Sequence, residues 1–398
     1  MAITVQNLYN NTLNIYRLKL VAGREGLNKI VSWVYYTEDP ETIEFIRGGE
    51  LAITTGLNVE RHKINTGKDE KDYIASFLEK LINEFVNRNA SGLIVNVGKY
   101  IETIPQSIIS LCDRLNFPLF TMPWEIHTID VMQSVGNRIV VDSQKRLSIE
   151  QSFYDAIFHH KNFSDINLDN TPFAEASEYS IVMMEFPKKE FEDEDELKRY
   201  VDYSFNPKTG FSTNDFCCFF CDKKVVYILH SDGTRLGEKI VQLTKTDRYF
   251  TNSKVSLSGI CHSIKDLSYE YEHAEVALNF CDEGDSLKTY DSLGIYKIFA
   301  EIKNVAVLQK MYDDVLGRLN DYSEQKRENY LETLKLYIES SGKIQKTADE
   351  NFTHRNTINY RIHKLSEVLG LDLQSGSARY LLQTAFYIGD FLCKMNQK

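Results

Sequence analysis

The sequence predicts a multidomain protein of the α/β plus α+β class that ends in an all-α helix-turn-helix region. Short β-branched runs alternate with helical stretches at the start of the chain, and strands mix with helices in its middle. Helical spacing dominates the end of the chain. A length of 398 residues suits roughly two or three domains of ordinary size.

The composition is that of an ordinary globular protein. Hydrophobic residues make up 42% and charged residues 26% of the chain, which excludes a disordered chain or a collagen-like repeat. The 46 Lys and Arg residues face 57 Asp and Glu, a net charge of −11. No apolar run approaches the roughly 18 residues of a membrane-spanning helix, and the start carries no export signal. The seven scattered cysteines suit reduced thiols, so we expect a cytoplasmic protein without membrane contact.

Residues 1–125 are predicted to form an α/β domain. The predicted strands cover residues 18–22, 33–36, 51–54, 92–95 and 119–121, and the main helix covers residues 72–88. Polar groups stand beside two strand ends, where α/β domains commonly place ligands. We therefore expect a small-molecule site at Glu38, Glu50, Thr54 and Thr55; the alternative is a β-turn that Gly56 serves through its backbone alone.

Residues 126–174 are predicted to be a helical linker. Ile129, Met132, Val135 and Ile139 recur at helical spacing within a helix over residues 129–158. This stripe can pack as a linker or form a dimer, although the heptad pattern fails at Ser143.

Residues 175–297 are predicted to form an α+β domain. Strands are expected at 179–186, 216–221, 225–230 and 254–261, with a hairpin turn of Asp222, Lys223 and Lys224. A helix is expected at 265–280, and the acidic run 190–196 is interpreted as a solvated loop.

Residues 298–398 are predicted to be helical, with a helix-turn-helix at about 328–395. One helix ends at Gly342, a short helix follows, and Asn351 is expected in the tight turn. Thr353 is the predicted N-cap of a third helix. Its apolar stripe consists of Ile358, Ile362, Leu365 and Leu369.

Local charge separates this region from the acidic chain. Between residues 343 and 365, five basic residues face two acidic ones, which gives 5 − 2 = +3. With the apolar stripe inward, the polar side of the third helix faces outward, and Arg and Asn suit guanine and adenine. The residues expected to contact DNA are Lys343, Gln345, Lys346, Thr353, His354, Arg355, Asn356, Thr357, Asn359, Tyr360, Arg361 and Lys364. The alternative is a helical hairpin with a solvated basic face.

The run THRNTINYRI at residues 353–362 resembles the C-terminal helix-turn-helix signature of PucR-type regulators. Residues 20–28, 31–34 and 48–56 are similar to the sensor domain of that family, and residues 266–294 to its GGDEF-like domain. One departure is Thr347-Ala348, where the family usually has paired alanines. The resemblance implies an N-terminal sensor, a degenerate GGDEF-like middle domain and a DNA-binding end.

Motifs of enzymes and metal sites are absent or incomplete. The run from Gly92 to Lys99 has five residues between its glycines instead of the four of a phosphate loop. The C-x-x-C from Cys218 to Cys221 would need further ligands such as Cys261 and His262 to hold zinc, and buried thiols are the simpler interpretation. No nucleophile elbow and no zinc-protease motif occur, so we expect no enzyme, no metal and no cofactor.

The resemblance implies a regulator of genes for purine or other nitrogen-source catabolism. Its expected partners are a double-stranded DNA operator, a small-molecule effector held by Glu38, Glu50, Thr54 and Thr55, and a second copy in a homodimer or higher homo-oligomer. Residues 129–139 and 330–338 are candidate dimer contacts. The alternative is a metabolite-binding or nucleotide-converting enzyme whose C-terminal helices serve assembly only.

Overall fold

A computed structural model describes most of the chain. The described residues are 3–59, 70–159, 168, 171–187, 194–212, 214–282 and 286–396. The chain divides into two units, of which the first comprises residues 1–253 and 260–268, and the second residues 254–259 and 269–398. Strands and helices predicted for a single middle domain at 175–297 are therefore shared between the two units.

The first unit begins with a five-stranded sheet in the order β1-β5-β4-β3-β2. The strands are β1 (Lys19–Ala22), β2 (Trp33–Tyr36), β3 (Glu50–Thr54), β4 (Gly92–Val97) and β5 (Leu119–Pro123). Strands β2 to β5 run parallel, and β1 pairs antiparallel with β5. The five predicted strands and the predicted α/β arrangement are thus confirmed.

Helices cover both faces of this sheet. They are α1 (Val5–Asn11), α2 (Glu70–Asn87), α3 (Gln106–Arg114) and α4 (Thr128–Phe158). Because side chains alternate along a strand, Ala52 faces α2 and α3, whereas Leu51 and Ile53 face α1 and the start of α4. The result is a three-layer domain with a core on each side of the sheet.

The buried face of α4 differs from the predicted one at its first position. Val131, Val135 and Ile139 are buried at four-residue steps. Ile129 is 64% exposed, because a position two residues before Val131 lies on the opposite side of a helix. The prediction that Ile129 belongs to the apolar stripe is therefore wrong.

The remainder of the first unit is built on three antiparallel strands. β6 (Ser180–Glu185) and β7 (Phe216–Cys221) both pair with the central strand β8 (Lys224–Leu229). The hairpin turn consists of Asp222 and Lys223 alone, with Asp222 at φ 54°, because Lys224 already pairs with Cys221. The predicted three-residue turn is thus one residue too long.

Two helices accompany this sheet. They are α5 (Glu194–Tyr200), which continues into a π-helical turn at Val201–Phe205, and α6 (Thr234–Thr244). Of the predicted acidic loop, residues 190–193 lie outside the described part of the chain. Glu194, Asp195 and Glu196 form the first turn of α5 instead of a loop, where negative charge favours the helix N-terminus.

The second unit contains one strand pair and a helical body. β9 (Lys254–Leu257) pairs parallel with β10 (Lys288–Thr289), so the strand predicted at 254–261 ends at Leu257. Helix α7 (Leu267–Asn279) belongs to the second unit from residue 269 onward. The other helices of this unit are α8 (Tyr296–Ala300), α9 (Val305–Leu316), α10 (Glu324–Glu339), α11 (Ile344–Glu350), α12 (Arg355–Leu369) and α13 (Gly376–Met395). No helix in the described residues has the length and apolarity to cross a membrane.

Two glycines allow close backbone contact in the N-terminal sheet domain. A Cβ atom on Gly23, which has φ +72°, would lie 2.0 Å from the carbonyl oxygen of Phe117. A Cβ atom on Gly26 would lie 2.1 Å from the carbonyl oxygen of Asn116. The carboxylate of Asp113 also accepts a hydrogen bond from the Gly23 amide at 2.7 Å. Only glycine fits at these positions.

We expect Gly23→Ala to destabilise the first unit by about 2–5 kcal/mol, because it combines left-handed strain with a backbone clash. Gly210→Ala is the matched control, since Gly210 has φ +77° and no atom within 4 Å of the added Cβ. Gly210→Ala should lower the free energy of unfolding by only about 1–2 kcal/mol, which is the cost of the left-handed backbone strain. Urea unfolding followed by the fluorescence of Trp33 and Trp124, the two tryptophans, measures both. Equal losses would contradict the clash.

A histidine of the second unit lies between two carboxylates. The Nε2 atom of His273 is 2.8 Å from Oε1 of Glu301, and its Nδ1 atom is 3.4 Å from Oε1 of Glu270. The ring stacks on Tyr290 at 3.9 Å. Burial alone would lower the pKa of His273, but the two carboxylates raise it above 6.5. The hydrogen bond from His273 in turn lowers the pKa of Glu301 below 4.5.

This cluster predicts a pH dependence of stability. A raised histidine pKa contributes stability below about pH 6.5 and loses it as the pH rises through the raised value. A lowered Glu301 pKa contributes above about pH 4.5, so the cluster stabilises most between these values. Hydrogen exchange of α7, corrected for intrinsic rates, should show protection falling from pH 6 to about pH 8. His273→Gln should abolish this fall, and an unchanged profile in that variant would contradict the assignment.

Candidate nucleic-acid interface

The turn between α10 and α11 fixes the start of the interface. Ser341 and Gly342 adopt φ 55° and 77°, and the Gly342 amide donates to the Tyr337 carbonyl at 2.8 Å. Arg379 of α13 lies over this turn and donates from Nη1 to the Ser341 carbonyl at 3.0 Å. A Cβ on Gly342 would lie 2.0 Å from the same Nη1 atom. Helix α10 ends at Glu339, directly before Ser340-Ser341-Gly342, so the prediction that this run ends the helix is confirmed.

Helix α11 is anchored by its inward side. Thr347 and Ala348 are buried, and the Thr347 hydroxyl donates to the Lys343 carbonyl at 3.0 Å. This internal bond shows how a threonine is accommodated at a position where the resemblance suggested alanine.

The turn between α11 and α12 differs from prediction in two residues. The left-handed residue is Phe352, with φ 51°, while Asn351 has φ −87°. The N-cap of α12 is His354, whose Nδ1 atom accepts from the Asn356 amide at 3.2 Å. Thr353 instead donates its hydroxyl to the Asn351 carbonyl at 2.9 Å. The predicted roles of Asn351 and Thr353 are therefore wrong, because the threonine hydroxyl is used inside the turn.

The third helix presents the predicted faces. Ile358, Ile362, Leu365 and Leu369 are all buried in the core of the helical body. On the opposite side the exposed residues are Arg355, Asn356, Thr357, Asn359, Tyr360 and His363. Polar groups suited to base edges thus occupy the N-terminal half of α12.

Two basic residues of α12 lie toward the side of the helix. Arg361 is half-buried and donates from Nη1 to the hydroxyl of Thr333 on α10 at 3.4 Å. Lys364 is also half-buried. Both had been predicted among the DNA contacts, and the structure places them beside the exposed face instead of on it.

The polar side chains at the start of α11 differ in whether they already form hydrogen bonds or ion pairs within the protein. Gln345 donates to Asp349 at 2.9 Å, and Lys346 forms an ion pair with Glu350 at 3.5 Å. Lys343 is exposed and makes no side-chain ion pair with any described residue. The lysine with the most accessible charge here is therefore Lys343.

Sequence reasoning missed Phe352. Its side chain is 98% exposed, and a bulky residue in the left-handed region carries backbone strain. The only signal in the sequence was a phenylalanine between two polar turn residues, outside the apolar spacing of either helix.

The predicted effector residues fall into two separate groups at opposite ends of β3. At its C-terminal end, Glu38 accepts hydrogen bonds from the Tyr36 hydroxyl at 2.8 Å, the Thr55 amide at 2.7 Å and the Leu57 amide at 3.0 Å. The hydroxyls of Thr54 and Thr55 also donate to Glu38, at 3.2 and 2.6 Å. This carboxylate therefore holds the turn that follows β3.

Glu50 lies at the N-terminal end of β3. Its two carboxylate oxygens accept from the amides of Arg47 at 2.9 Å and Gly48 at 2.8 Å. It therefore caps the Gly48-Gly49 turn and does not join the Glu38 group. Effector binding by these residues stays a prediction.

The cysteines do not assemble a metal site in the described part of the chain, where no group of three or more metal-binding side chains occurs. Burial raises the pKa of the thiols of Cys217 and Cys218, which favours their protonated form. His159 ends α4, and His160 lies outside the described residues.

Comparison with known proteins identifies both ends of the chain. Residues 10–139 match the purine catabolism regulatory protein-like family, and residues 330–388 match the PucR C-terminal helix-turn-helix domain.

Three curated relatives from Bacillus subtilis (strain 168) are transcriptional regulators by name. The chain is 27% identical to its purine catabolism regulatory protein over 146 residues, which are 37% of this chain and 24% of that protein. It is 26% identical to the DNA-binding transcriptional activator AdeR over 132 residues, 32% of this chain and 31% of the relative. It is 30% identical to the proline-responsive transcriptional activator PutR over 90 residues, 23% and 22% of the two chains. The matches thus span less than a third of each relative.

One solved structure, a regulator of polyketide synthase expression from Bifidobacterium adolescentis, covers 63% of this chain and 99% of its own, with 13% identity and a TM-score of 0.27. That superposition is too loose to support an argument. The two domain matches are specific, and the observed sheet domain and helix-turn-helix lie where they predict them. The chain thus carries an N-terminal domain of the purine catabolism regulatory protein-like family and a PucR-type C-terminal helix-turn-helix domain.

Proposed function

We propose that this protein is a cytoplasmic, DNA-binding transcriptional regulator that responds to a small metabolite. The observation that carries the proposal is the exposed polar N-terminal half of α12, held on a buried apolar stripe and preceded by a tight turn. In helix-turn-helix proteins, the helix that follows the tight turn enters the major groove of DNA, and α12 has this position. The domain matches at both ends of the chain support the same conclusion.

The genes under control are proposed to serve purine or other nitrogen-source catabolism. The relatives include a purine catabolism regulatory protein and a proline-responsive activator. Both names concern nitrogen-containing nutrients. The relatives are transcriptional regulators by name, which favours regulation over the alternative of an enzyme with supporting helices. The GGDEF-like character and the boundaries of the middle domain stay predictions.

The proposal includes a homodimer or higher homo-oligomer on a palindromic operator, because one helix-turn-helix reads only a short half-site. Within the candidate contact at 330–338, Tyr330, Leu334 and Tyr337 are buried in the core of their own helical body. That stretch therefore has little apolar surface to offer. On α4, by contrast, Ile129, Val140 and Val141 are exposed apolar side chains. We favour this exposed side of α4 as the contact.

We expect Arg355→Ala and Asn356→Ala each to weaken binding to a selected operator by about 1–3 kcal/mol. The reason is that each residue offers paired hydrogen bonds to a base edge from the exposed side of α12. Gel-shift titration against a site selected from random DNA measures the loss. Lys310→Ala on α9 is the control, because Lys310 is exposed outside the helix-turn-helix. Unchanged affinity in both α12 variants would show that α12 is not the reading helix.

Lysines at the start of α11 are expected to contact phosphates. Lys343→Ala should weaken binding to every sequence alike and lower the slope of log affinity against log salt by about 0.9. Lys346→Ala should have the smaller effect, since Glu350 already neutralises part of its charge. Titrations at several salt concentrations test this order, and a larger effect of Lys346 would contradict it.

A further inference from the structure

A cavity lies in the first unit, where α4 passes the sheet of β6, β7 and β8. Ile149 of α4, Phe173 and Phe216 of β7 supply apolar walls, and Arg146, Asp202 and Asn214 supply polar groups. None of these residues belongs to the predicted effector positions in the N-terminal domain.

The polar side of the cavity contains a largely buried ion network. Arg146 donates from Nη1 to Asp202 at 2.5 Å, and its Nε atom lies 3.7 Å from Glu150. Lys198 in turn donates to Glu150 at 3.0 Å. Burial alone would lower the pKa of Arg146, but Asp202 and Glu150 raise it, so the guanidinium keeps its charge.

Some donor and acceptor atoms of the network can still form hydrogen bonds with a ligand. A guanidinium offers several N–H donors, and the bond to Asp202 uses one of them among the described residues. The second oxygen of Asp202 likewise has no hydrogen-bond donor among them. A donor and an acceptor side by side on the cavity wall favour a ligand that can accept from one and donate to the other.

Charge decides the class of that ligand. Two carboxylates, Glu150 and Asp202, balance two cations, Arg146 and Lys198, so the site is close to neutral. An anion entering the cavity would face both carboxylates, and a cation would face Arg146. A neutral amide offers a carbonyl oxygen and an N–H group on one edge and avoids both penalties.

Asp202 also has a structural link to the N-terminal domain. It lies in the π-helical turn Val201–Phe205, and such turns occur often at functional sites. Next to it, Tyr203 packs on the Gly48-Gly49 turn, where a Cβ on Gly49 would lie 3.0 Å from its ring. The turn that carries Asp202 is therefore in contact with the turn that Glu50 caps.

We propose that this cavity binds a neutral small molecule with an amide edge on a flat apolar body, and that it is the effector site. The effector role rests on the proposed function as a DNA-binding regulator, whereas binding in the cavity does not. Occupancy changes DNA affinity only if the ligand prefers one conformation, and the Asp202–Tyr203 turn is the element through which it would do so.

The binding test uses the full chain and three probes with the same ring: benzamide, benzoate and benzamidine. We expect benzamide to bind with a dissociation constant in roughly the millimolar range typical of fragments, at least about tenfold tighter than the other two. Ligand-observed NMR titration measures all three. Tighter binding of benzoate or benzamidine, or no binding of benzamide, would overturn the proposed ligand class.

Two variants locate the site. Ile149→Phe fills the cavity and keeps every charge, and Arg146→Gln removes the donor. Each should weaken benzamide binding at least about tenfold. Lys145→Gln, which removes an exposed charge from the neighbouring position, should leave it unchanged. Unchanged binding in Ile149→Phe would place the site elsewhere, and this result does not depend on how well Arg146→Gln folds.

Gel shifts on a selected operator, with and without saturating benzamide, test the effector role. A change in DNA affinity that Ile149→Phe abolishes supports that role, and no change in the wild-type protein overturns it. If the protein binds no operator while benzamide still binds in the cavity, the proposed function fails and the ligand site stands. If the operator is bound but benzamide is not, the cavity inference fails alone.

Discussion

The ion pair between Arg146 of α4 and Asp202 holds the middle of that helix against the π-helical turn Val201–Phe205. Helix α4 is buried twice, first through Val131, Val135 and Ile139 in the N-terminal sheet domain and later through Phe153, Ala156 and Ile157. Arg146 falls between these two apolar stretches. A buried guanidinium without partners would be strongly destabilising, so Asp202 and Glu150 are needed at that place. The partners in turn fix the π-helical turn that carries Asp202.

The helix-turn-helix depends on two different faces of α12, one apolar and buried and one polar and exposed. All four residues of the apolar stripe of α12 are buried, and the opposite face is mainly polar, as in an amphipathic helix. The connecting turns are held by backbone and side-chain hydrogen bonds, such as those of Arg379 and Thr347. A rigid support of this kind keeps the exposed side chains in a fixed register for a partner such as a DNA groove.

Strands, helices and the buried stripe of α12 could be predicted because periodicity is a local property of the sequence. The two turn residues could not, since Asn351 and Thr353 were plausible for roles that Phe352 and His354 take. Propensity favours asparagine in the left-handed region, but the Thr353 hydroxyl bonds back to Asn351 and shifts the turn by one residue. The side position of Arg361 depends on Thr333, a partner from another helix, which spacing along α12 alone does not reveal.

The two polar clusters differ in how much of their hydrogen-bonding capacity is already used, and this difference is the reason for proposing the effector site at Arg146 and Asp202. Glu38 is surrounded by donors from its own turn, so its carboxylate is already satisfied where it lies. Arg146 and Asp202 bond to each other with only part of their capacity, and they do so on the wall of a cavity. The first group is readable from the sequence because its members are close along the chain. The second joins residues 56 positions apart, so only the folded chain brings it together. A ligand can bond to the unused atoms of the second group without breaking its ion pair, whereas one that binds Glu38 must first displace the hydrogen bonds of the turn.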